Sequence, residues 1–330
     1  MEEPTLEPHQ EDPNRPLTEL SDAADQIRQE IQRLVIGQED MLDLLVVGLL
    51  SNGHVLLEGV PGIAKTLTAK LLAKTLNVPF SRIQFTPDMM PSDVTGTSVF
   101  NLKTSEFTFQ AGPVFANIVL IDEINRAPAK TQAALFEVME EQQVTIDGTT
   151  YPMEKPFLVL ATQNPIEQEG TYRLPEAQLD RFLFRVKLKH PSLDEEKQIL
   201  RRFQHTSSAD TSSVRALFAA DQILHFQRFI HENIHIEEAL FDYIAEIVHT
   251  TRHHGAIYLG ASPRASLAIM RTAKAVAAIN GRDFITPDDI QYVAYPVLNH
   301  RIILTPEREM DGTEPEDIIK EILEKIEVPR

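Results

Sequence analysis

Between Gly53 and Gly59 lies a short apolar run, Val55-Leu56-Leu57, that breaks directly into Gly59-Val60-Pro61-Gly62-Ile63-Ala64-Lys65-Thr66. A run this short, without alternation and bounded by glycines, predicts a strand in the middle of a sheet. Beyond it Leu67, Leu71, Leu72 and Leu76 recur at helical spacing. A helix therefore begins at or just before Lys65 and aims its free N–H groups and positive dipole end at the turn. Gly59 and Gly62 let the backbone approach an anion closely. Lys65 can reach outer phosphates as a point charge, and the Thr66 hydroxyl can ligate a magnesium ion brought in with them. The stretch reads as a phosphate-binding loop with one departure. The G-x-x-x-x-G-K-[ST] pattern puts glycine at position 64, where this chain has alanine. On these residues alone an ordinary strand-to-helix turn stays open.

A second stretch narrows the choice. Ile118-Val119-Leu120-Ile121 ends in two adjacent carboxylates, Asp122 and Glu123. An unbroken apolar run is the pattern of a parallel strand buried on both faces, and open α/β sheets place ligands at the C-terminal ends of such strands. Asp122 could hold magnesium there, directly or through water, and Glu123 could polarise a water that attacks a γ-phosphate. A third run, Phe157 to Ala161, leads to Asn164, whose amide at a neighbouring strand end could orient that water; turn chemistry is the commoner reason for such an asparagine.

Composition sets the limits. A chain of 330 residues, 42% hydrophobic, can bury a large core and is expected to divide into two domains. It has no cysteine, so disulfides and thiolate chemistry are excluded. No run of 18 apolar residues occurs and no basic-then-apolar start, so a soluble, cytoplasmic protein is expected. The net charge is -18, with -7 in residues 1–30 and -5 in residues 307–330. Such a balance, without clustered lysine and arginine, argues against tight binding to a nucleic-acid backbone.

In chain order, residues 1–16 form an acidic, proline-rich leader expected to be disordered. Residues 17–190 follow as an α/β nucleotide-binding core. Within it Leu20, Ala24, Ile27, Ile31 and Leu34 trace one helix face, a second helix stops at Asn52-Gly53, and Ile83-Gln84-Phe85 is expected as a strand. Residues 95–111 alternate apolar with polar around a turn, a hairpin-like insertion. Val144 to Tyr151 forms a second hairpin, turning at Asp147-Gly148. Leu174 to Phe182 is a short proline-opened helix and Leu183 to Leu188 a last strand. From 191 to 330 the pattern is helical, with runs at 192–205, 214–232, 237–253, 263–280 and 287–298, and a C-terminal helix behind a capping box at Thr313 and Glu316. Ser262-Pro263-Arg264 places an N-cap, a first-turn proline and a cation where the helix dipole disfavours one, which suggests that Arg264 faces an anion.

Together the loop with Ala64, Asp122-Glu123-Ile124-Asn125-Arg126-Ala127-Pro128, Ala161-Thr162-Gln163-Asn164-Pro165, Leu174 to Phe182 and His300-Arg301-Ile302-Ile303-Leu304-Thr305-Pro306 resemble a MoxR-type AAA+ ATPase, over a span from about Leu20 to the C-terminus. The resemblance implies an α/β P-loop NTPase core with a parallel sheet, followed by an all-α lid domain. It implies ATP and magnesium as cofactors. Lys65 and Thr66 match the loop pair, with Gly59, Pro61, Gly62, Ile63, Ala64 and Leu67 around the phosphates, and Ile36-Gly37-Gln38 matches the segment flanking adenine. Asp122 and Thr66 match the metal ligands, Glu123 the catalytic carboxylate and Asn164 the first sensor. Arg264 matches the second sensor, reaching the γ-phosphate from the lid. Arg181 matches an arginine finger given to the neighbouring subunit, which implies a ring, usually a hexamer. Arg126 would lie at the subunit interface without catalytic duty.

MoxR-type proteins are similar to one another in working as chaperone-like remodellers, often with partners bearing von Willebrand factor A domains, in maturing complexes or inserting metal cofactors. An ATP-hydrolysing remodeller of a client protein is therefore expected, with Phe100, Phe107 and Phe109 as client contacts. A nucleotide-gated scaffold with slow hydrolysis as a timer is the alternative. A DNA translocase is disfavoured by the acidic balance.

Overall fold

The computed structural model describes residues 15–60, 62–103, 105–164, 172, 174–204 and 210–329. Helices α1 (Arg15–Gln32) and α2 (Glu39–Leu50) precede strand β1 (Val55–Glu58) and helix α3 (Lys65–Thr75). Then come β2 (Phe80–Gln84), α4 (Pro91–Thr95), the hairpin β3 (Gly96–Asn101) and β4 (Glu106–Ala111), β5 (Ile118–Asp122) and α5 (Ala129–Glu141). A second hairpin, β6 (Gln143–Ile146) and β7 (Thr149–Pro152), leads to β8 (Leu158–Gln163), the short α6 (Glu176–Leu179) and β9 (Phe184–Lys187). The rest is helical: α7 (Leu193–Phe203), α8 (Ala220–Asn233), α9 (Glu238–Thr251), α10 (Pro263–Ile279), α11 (Pro287–Leu298), α12 (Pro306–Met310) and α13 (Pro315–Lys325), with β10 (Ile257–Leu259) pairing β11 (Ile303–Leu304) between them.

Five strands form one sheet in the order β2-β5-β8-β1-β9, every pair parallel. Side chains alternate across a strand, so each unbroken apolar run is divided between the two faces. Val55, Leu57, Ile118, Leu120, Leu158 and Leu160 join one cluster with α1, α2, α3 and the helical region. Leu56, Val119, Ile121, Val159 and Ala161 join the other, against Phe136 and Met139 of α5. The sheet is thus a layer between two apolar faces, as the α/β class requires.

The helical region is built around α10, whose Ala265, Ala268, Ala273, Ala275, Ala277 and Ala278 are buried and let neighbouring helices approach closely. It is fastened to the core by Arg301. That guanidinium donates to Asp180 Oδ1 at 2.7 Å, to the carbonyls of Asp180 and Phe182 at 3.1 and 2.6 Å, and to Leu183 O at 3.1 Å. The adjacent His300 ring contacts Phe182 O at 3.1 Å, and burial together with the Arg301 charge pushes its pKa well below the usual range.

Several boundaries differ from the sequence reading. Helix α1 already includes Arg15 and Pro16, so the leader gives way to helix before residue 17; residues 1–14 lie outside the described residues. Strand β2 begins at Phe80, three residues ahead of the expected start. Residues 214–219 are apolar enough for a helix, yet Leu217 and Phe218 N–H groups donate to Thr75 O instead, and α8 starts at Ala220. The last capping box uses Glu314 and Asp317, one residue beyond the expected pair, because Pro315 takes the first helical position.

Candidate nucleotide site

The loop after β1 closes on itself. Lys65 Nζ donates to Gly59 O at 2.7 Å, and Gly59 N–H donates to Gln163 O at 3.2 Å, tying the loop to the end of β8. Gly62 has φ 89 and Ala64 has φ 62. Position 64 therefore holds the left-handed conformation that glycine usually supplies here, and an alanine occupies it. From there α3 runs away from the loop with Lys65 and Thr66 in its first turn. Burial pulls the Lys65 pKa down, against the pull of Asp122 and Glu123.

Parallel pairing brings the other groups to the same edge. Gln84 stands in register with Asp122, and Leu57 with Thr162. Asp122 is buried; Arg82 Nε donates to its Oδ2 at 2.6 Å and Thr162 Oγ1 donates to its Oδ1 at 3.2 Å. The same Thr162 hydroxyl accepts from Glu123 N–H at 3.0 Å, so one threonine braces both carboxylate residues. Glu123 has φ 57, which turns its side chain out of the strand. Its Oε2 accepts from Gln84 Nε2 at 2.7 Å and pairs with Arg126 Nε at 3.1 Å. Arg126, expected at a subunit interface, pairs within the chain with this carboxylate.

Gly62, Ala64, Lys65, Thr66, Leu67, Asp122, Glu123 and Asn164 line one cavity of about 420 Å³, shared with Arg82, Gln84 and Thr162. The structure therefore brings together six of the loop and carboxylate residues read from sequence, with Leu67 and Asn164 beside them. Gly59 contributes its carbonyl to Lys65, and the buried Ile63 packs behind it. Pro61 lies outside the described residues. Ile36, Gly37 and Gln38 sit to one side: Gly37 lies under Glu195 at the start of α7, and Gln38 Nε2 donates to Lys189 O at 2.8 Å. The chain between these contacts returns to the loop, where Leu188 N–H donates to Glu58 O at 2.8 Å.

Arg181 and Arg264 are not brought to this cavity. Arg181 precedes β9 and so lies at the N-terminal edge of the sheet, opposite the loop. Its Nη2 pairs with Glu140 Oε2 at 2.8 Å, and Arg264 Nη2 donates to Glu140 Oε1 at 2.7 Å. The Ser262 cap is as read, accepting from Arg264 N–H at 3.2 Å. The anion Arg264 faces is Glu140, so a second-sensor role toward this chain's own phosphate loop does not fit its position. Arg82, Gln84 and Thr162 were missed from the sequence. Their signal was the shared face of Arg82 and Gln84 on β2, which acquires meaning only once β2 is known to flank β5.

A phosphate loop facing two strand-end carboxylates, on a parallel sheet with a helical lid, defines an AAA-type ATPase domain. In agreement, residues 54–184 match the ATPase family associated with various cellular activities (AAA), and residues 249–322 match the AAA lid domain. The chain is 47% identical over 301 residues to the uncharacterized protein YeaC of Bacillus subtilis, covering 91% of this chain and 93% of that one. It is 44% identical over 310 residues to the chaperone MoxR1 of Mycobacterium tuberculosis, covering 91% and 81%. The structure of a putative ATPase from Cytophaga hutchinsonii superposes with a TM-score of 0.89 at 43% identity, over 96% of this chain and 98% of that one. The chain belongs to the MoxR family of AAA+ ATPases.

Proposed function

We propose that this chain binds and hydrolyses ATP in a ring, with each active site completed by a neighbouring subunit, and uses the cycle to remodel a client protein. The observation that carries this reading is the division of the predicted machinery between opposite sheet edges. Lys65, Thr66, Asp122, Glu123 and Asn164 share one cavity, while Arg181 and Arg264 stand together on Glu140 at the other edge. That two arginines stand away from their own loop supports a reading in which they serve another chain's, Arg181 as a finger and Arg264 beside it. A ring of six follows from the family resemblance.

The donors at the loop fit magnesium, a hard cation that takes hydroxyl and carboxylate oxygens. Thr66 and Asp122 would hold it, and it would supply neutralisation of phosphate charge. Lys65 binds the outer phosphates. Glu123 accepts a proton from the attacking water, and Asn164 orients that water. Gln84 and Arg126 hold the Glu123 carboxylate, so its release from them is part of reaching the reactive arrangement.

The chaperone name of the mycobacterial relative supports a remodelling role. Maturation of a protein complex or insertion of a metal cofactor, with a partner bearing a von Willebrand factor A domain, is the form of it proposed here, in the cytoplasm. No described helix is long and apolar enough to cross a membrane. The β3–β4 hairpin exposes Phe100, Leu102 and Phe107 and offers a client contact, whereas Phe109 stacks on Tyr151 at 4.2 Å and joins the two hairpins. The test is magnesium-dependent turnover of the purified chain. Glu123→Gln should abolish it with ATP affinity kept, and Lys65→Ala should lose ATP binding. Wild-type turnover in Glu123→Gln would contradict the assignment. If Glu123→Gln still supports full maturation of a partner, the scaffold reading replaces the remodeller.

A further inference from the structure

A second cavity, of about 540 Å³, opens at the N-terminal edge of the sheet, on the far side of β1 from the phosphate loop. The core lines it with Leu50, Asn52 and Lys155, the lid with Leu224 and Arg228 of α8 and Arg271 and Lys274 of α10. In a chain of net charge -18 its lining contains four full cations and no carboxylate. Among the described residues Lys155, Arg228, Arg271 and Lys274 form no ion pair; Lys274 Nζ donates to His231 O at 3.1 Å, and Arg228 Nε reaches Leu224 O at 3.5 Å. Lys155, Arg228 and Arg271 are exposed and Lys274 is half-buried; partial desolvation by the cavity walls lowers the pKa of Arg271 and Lys274, with no neighbouring acid to offset it.

Four uncompensated cations around one concavity repel each other, and a cleft lined by a single sign of charge focuses field on whatever enters it. An arrangement of this kind is stabilised by an anion. Two guanidinium forks match phosphate oxygens, and the two ammonium groups add point charges. The walls contributed by Leu50, Leu224 and Ile230, with the amides of Asn52 and Gln227, suit a body that is partly apolar. The volume falls within the range of small-molecule sites, roughly 300–1,000 Å³.

We propose that this cavity is a second anion site, distinct from the nucleotide loop, that takes a small organic phosphate carrying two or more negative charges. Such a ligand bridges core and lid, since Lys155 comes from one and Arg228, Arg271 and Lys274 from the other. The site also adjoins the cavity that holds the arginine pair. Arg271 lies two turns beyond Arg264 on the same face of α10, and the cavity that holds Arg181 and Arg264 shares Asn52, His231 and Arg271 with this one.

The test uses inorganic pyrophosphate as the probe and calorimetric titration of the full Lys65→Ala chain, in which the loop lysine is gone. Saturable binding at one per chain is expected, weakening as salt rises. Arg271→Gln and Lys274→Gln should each weaken it about tenfold, the loss of one charge-assisted contact. Lys155→Gln, on the core side and exposed, should do the same and decides the matter if a lid variant melts early. The proposal is overturned by no binding at millimolar pyrophosphate, or by binding indifferent to all three substitutions. It is equally overturned if the substitutions leave binding intact and instead alter the sedimentation of the chain, which would make the cavity a protein contact. Because the readout is binding to a chain without Lys65, it stands or falls separately from the ATPase reading.

Discussion

Arg181 and Arg264 grip the two oxygens of a single carboxylate, Glu140, at 2.8 and 2.7 Å, one arginine from the core and the other from the lid. Both lie at the sheet edge opposite the phosphate loop, away from the cavity that Lys65, Asp122 and Glu123 line. Glu140 offsets one of the two charges, so the pair keeps a net positive charge. The expected consequence is that Arg181→Ala binds ATP normally but turns over roughly 10³ to 10⁵ times more slowly, the usual cost of losing a transition-state cation of this kind. Arg264→Ala should fall in the same direction. Single-turnover and nucleotide-binding measurements on the two variants check this, and normal turnover in Arg181→Ala would move the finger elsewhere.

Thr162 braces the catalytic edge, donating to Asp122 Oδ1 and accepting from Glu123 N–H. Thr162→Val keeps the shape but strands a partly buried N–H, at a cost of about 1–3 kcal/mol in stability. It should also lower turnover with ATP affinity little changed, and Thr162→Ser should restore most of it. Rescue by serine separates the hydroxyl from the methyl; a serine variant as impaired as valine would show that packing, not the bond, matters.

Ala64 holds a left-handed backbone at φ 62 that costs a non-glycine residue about 1–2 kcal/mol. Ala64→Gly should therefore raise unfolding free energy by about 0.5–1 kcal/mol, after the greater freedom of glycine in the unfolded chain is counted. Urea unfolding measures it. A loss of stability instead would mean that the packing of the Ala64 methyl on the apolar cluster outweighs the strain.

His54 is buried between Val159 and Met139. Val159 N–H donates to its Nδ1 at 3.0 Å, so Nε2 carries the proton toward Met139 O at 3.0 Å. Burial pushes its pKa down from 6.5 to about 4. The unfolded chain binds a proton below 6.5 that the folded chain refuses, so this histidine makes stability fall as pH drops from 6.5 to about 4, by up to about 1.4 kcal/mol per pH unit. Buried His300 acts in the same direction. Comparing unfolding at pH 7 and pH 5 in wild type and His54→Gln isolates the effect: the variant should show the shallower pH dependence. Equal slopes would mean that His54 titrates normally.

The parts of this fold that could be read from sequence are those where burial on both faces leaves no ambiguity. The runs at Val55, Ile118 and Phe157 became β1, β5 and β8 within a residue or two, because an unalternating apolar strand has few other places to go. Edge strand β2 was cut short since Ser81 and Arg82 are polar and only Ile83 is buried. The loop and carboxylate residues were legible because their chemistry is local to one turn or one strand end. Arg82, Gln84 and Thr162 act through neighbours supplied by strand order, which no single stretch encodes. Arg264 was misplaced for the same reason: the sequence places it at a helix N-terminus but not beside Glu140.

The central claim is that an active site needs two chains, and mixing two dead variants tests it most directly. Arg181→Ala keeps its phosphate loop, and Lys65→Ala keeps its arginine. Magnesium-dependent ATPase activity should be nearly absent in each alone and return when the two are mixed, because some interfaces then pair an intact loop with an intact finger. Activity that stays absent at every mixing ratio, although the two chains co-assemble, would contradict a site completed across the subunit boundary.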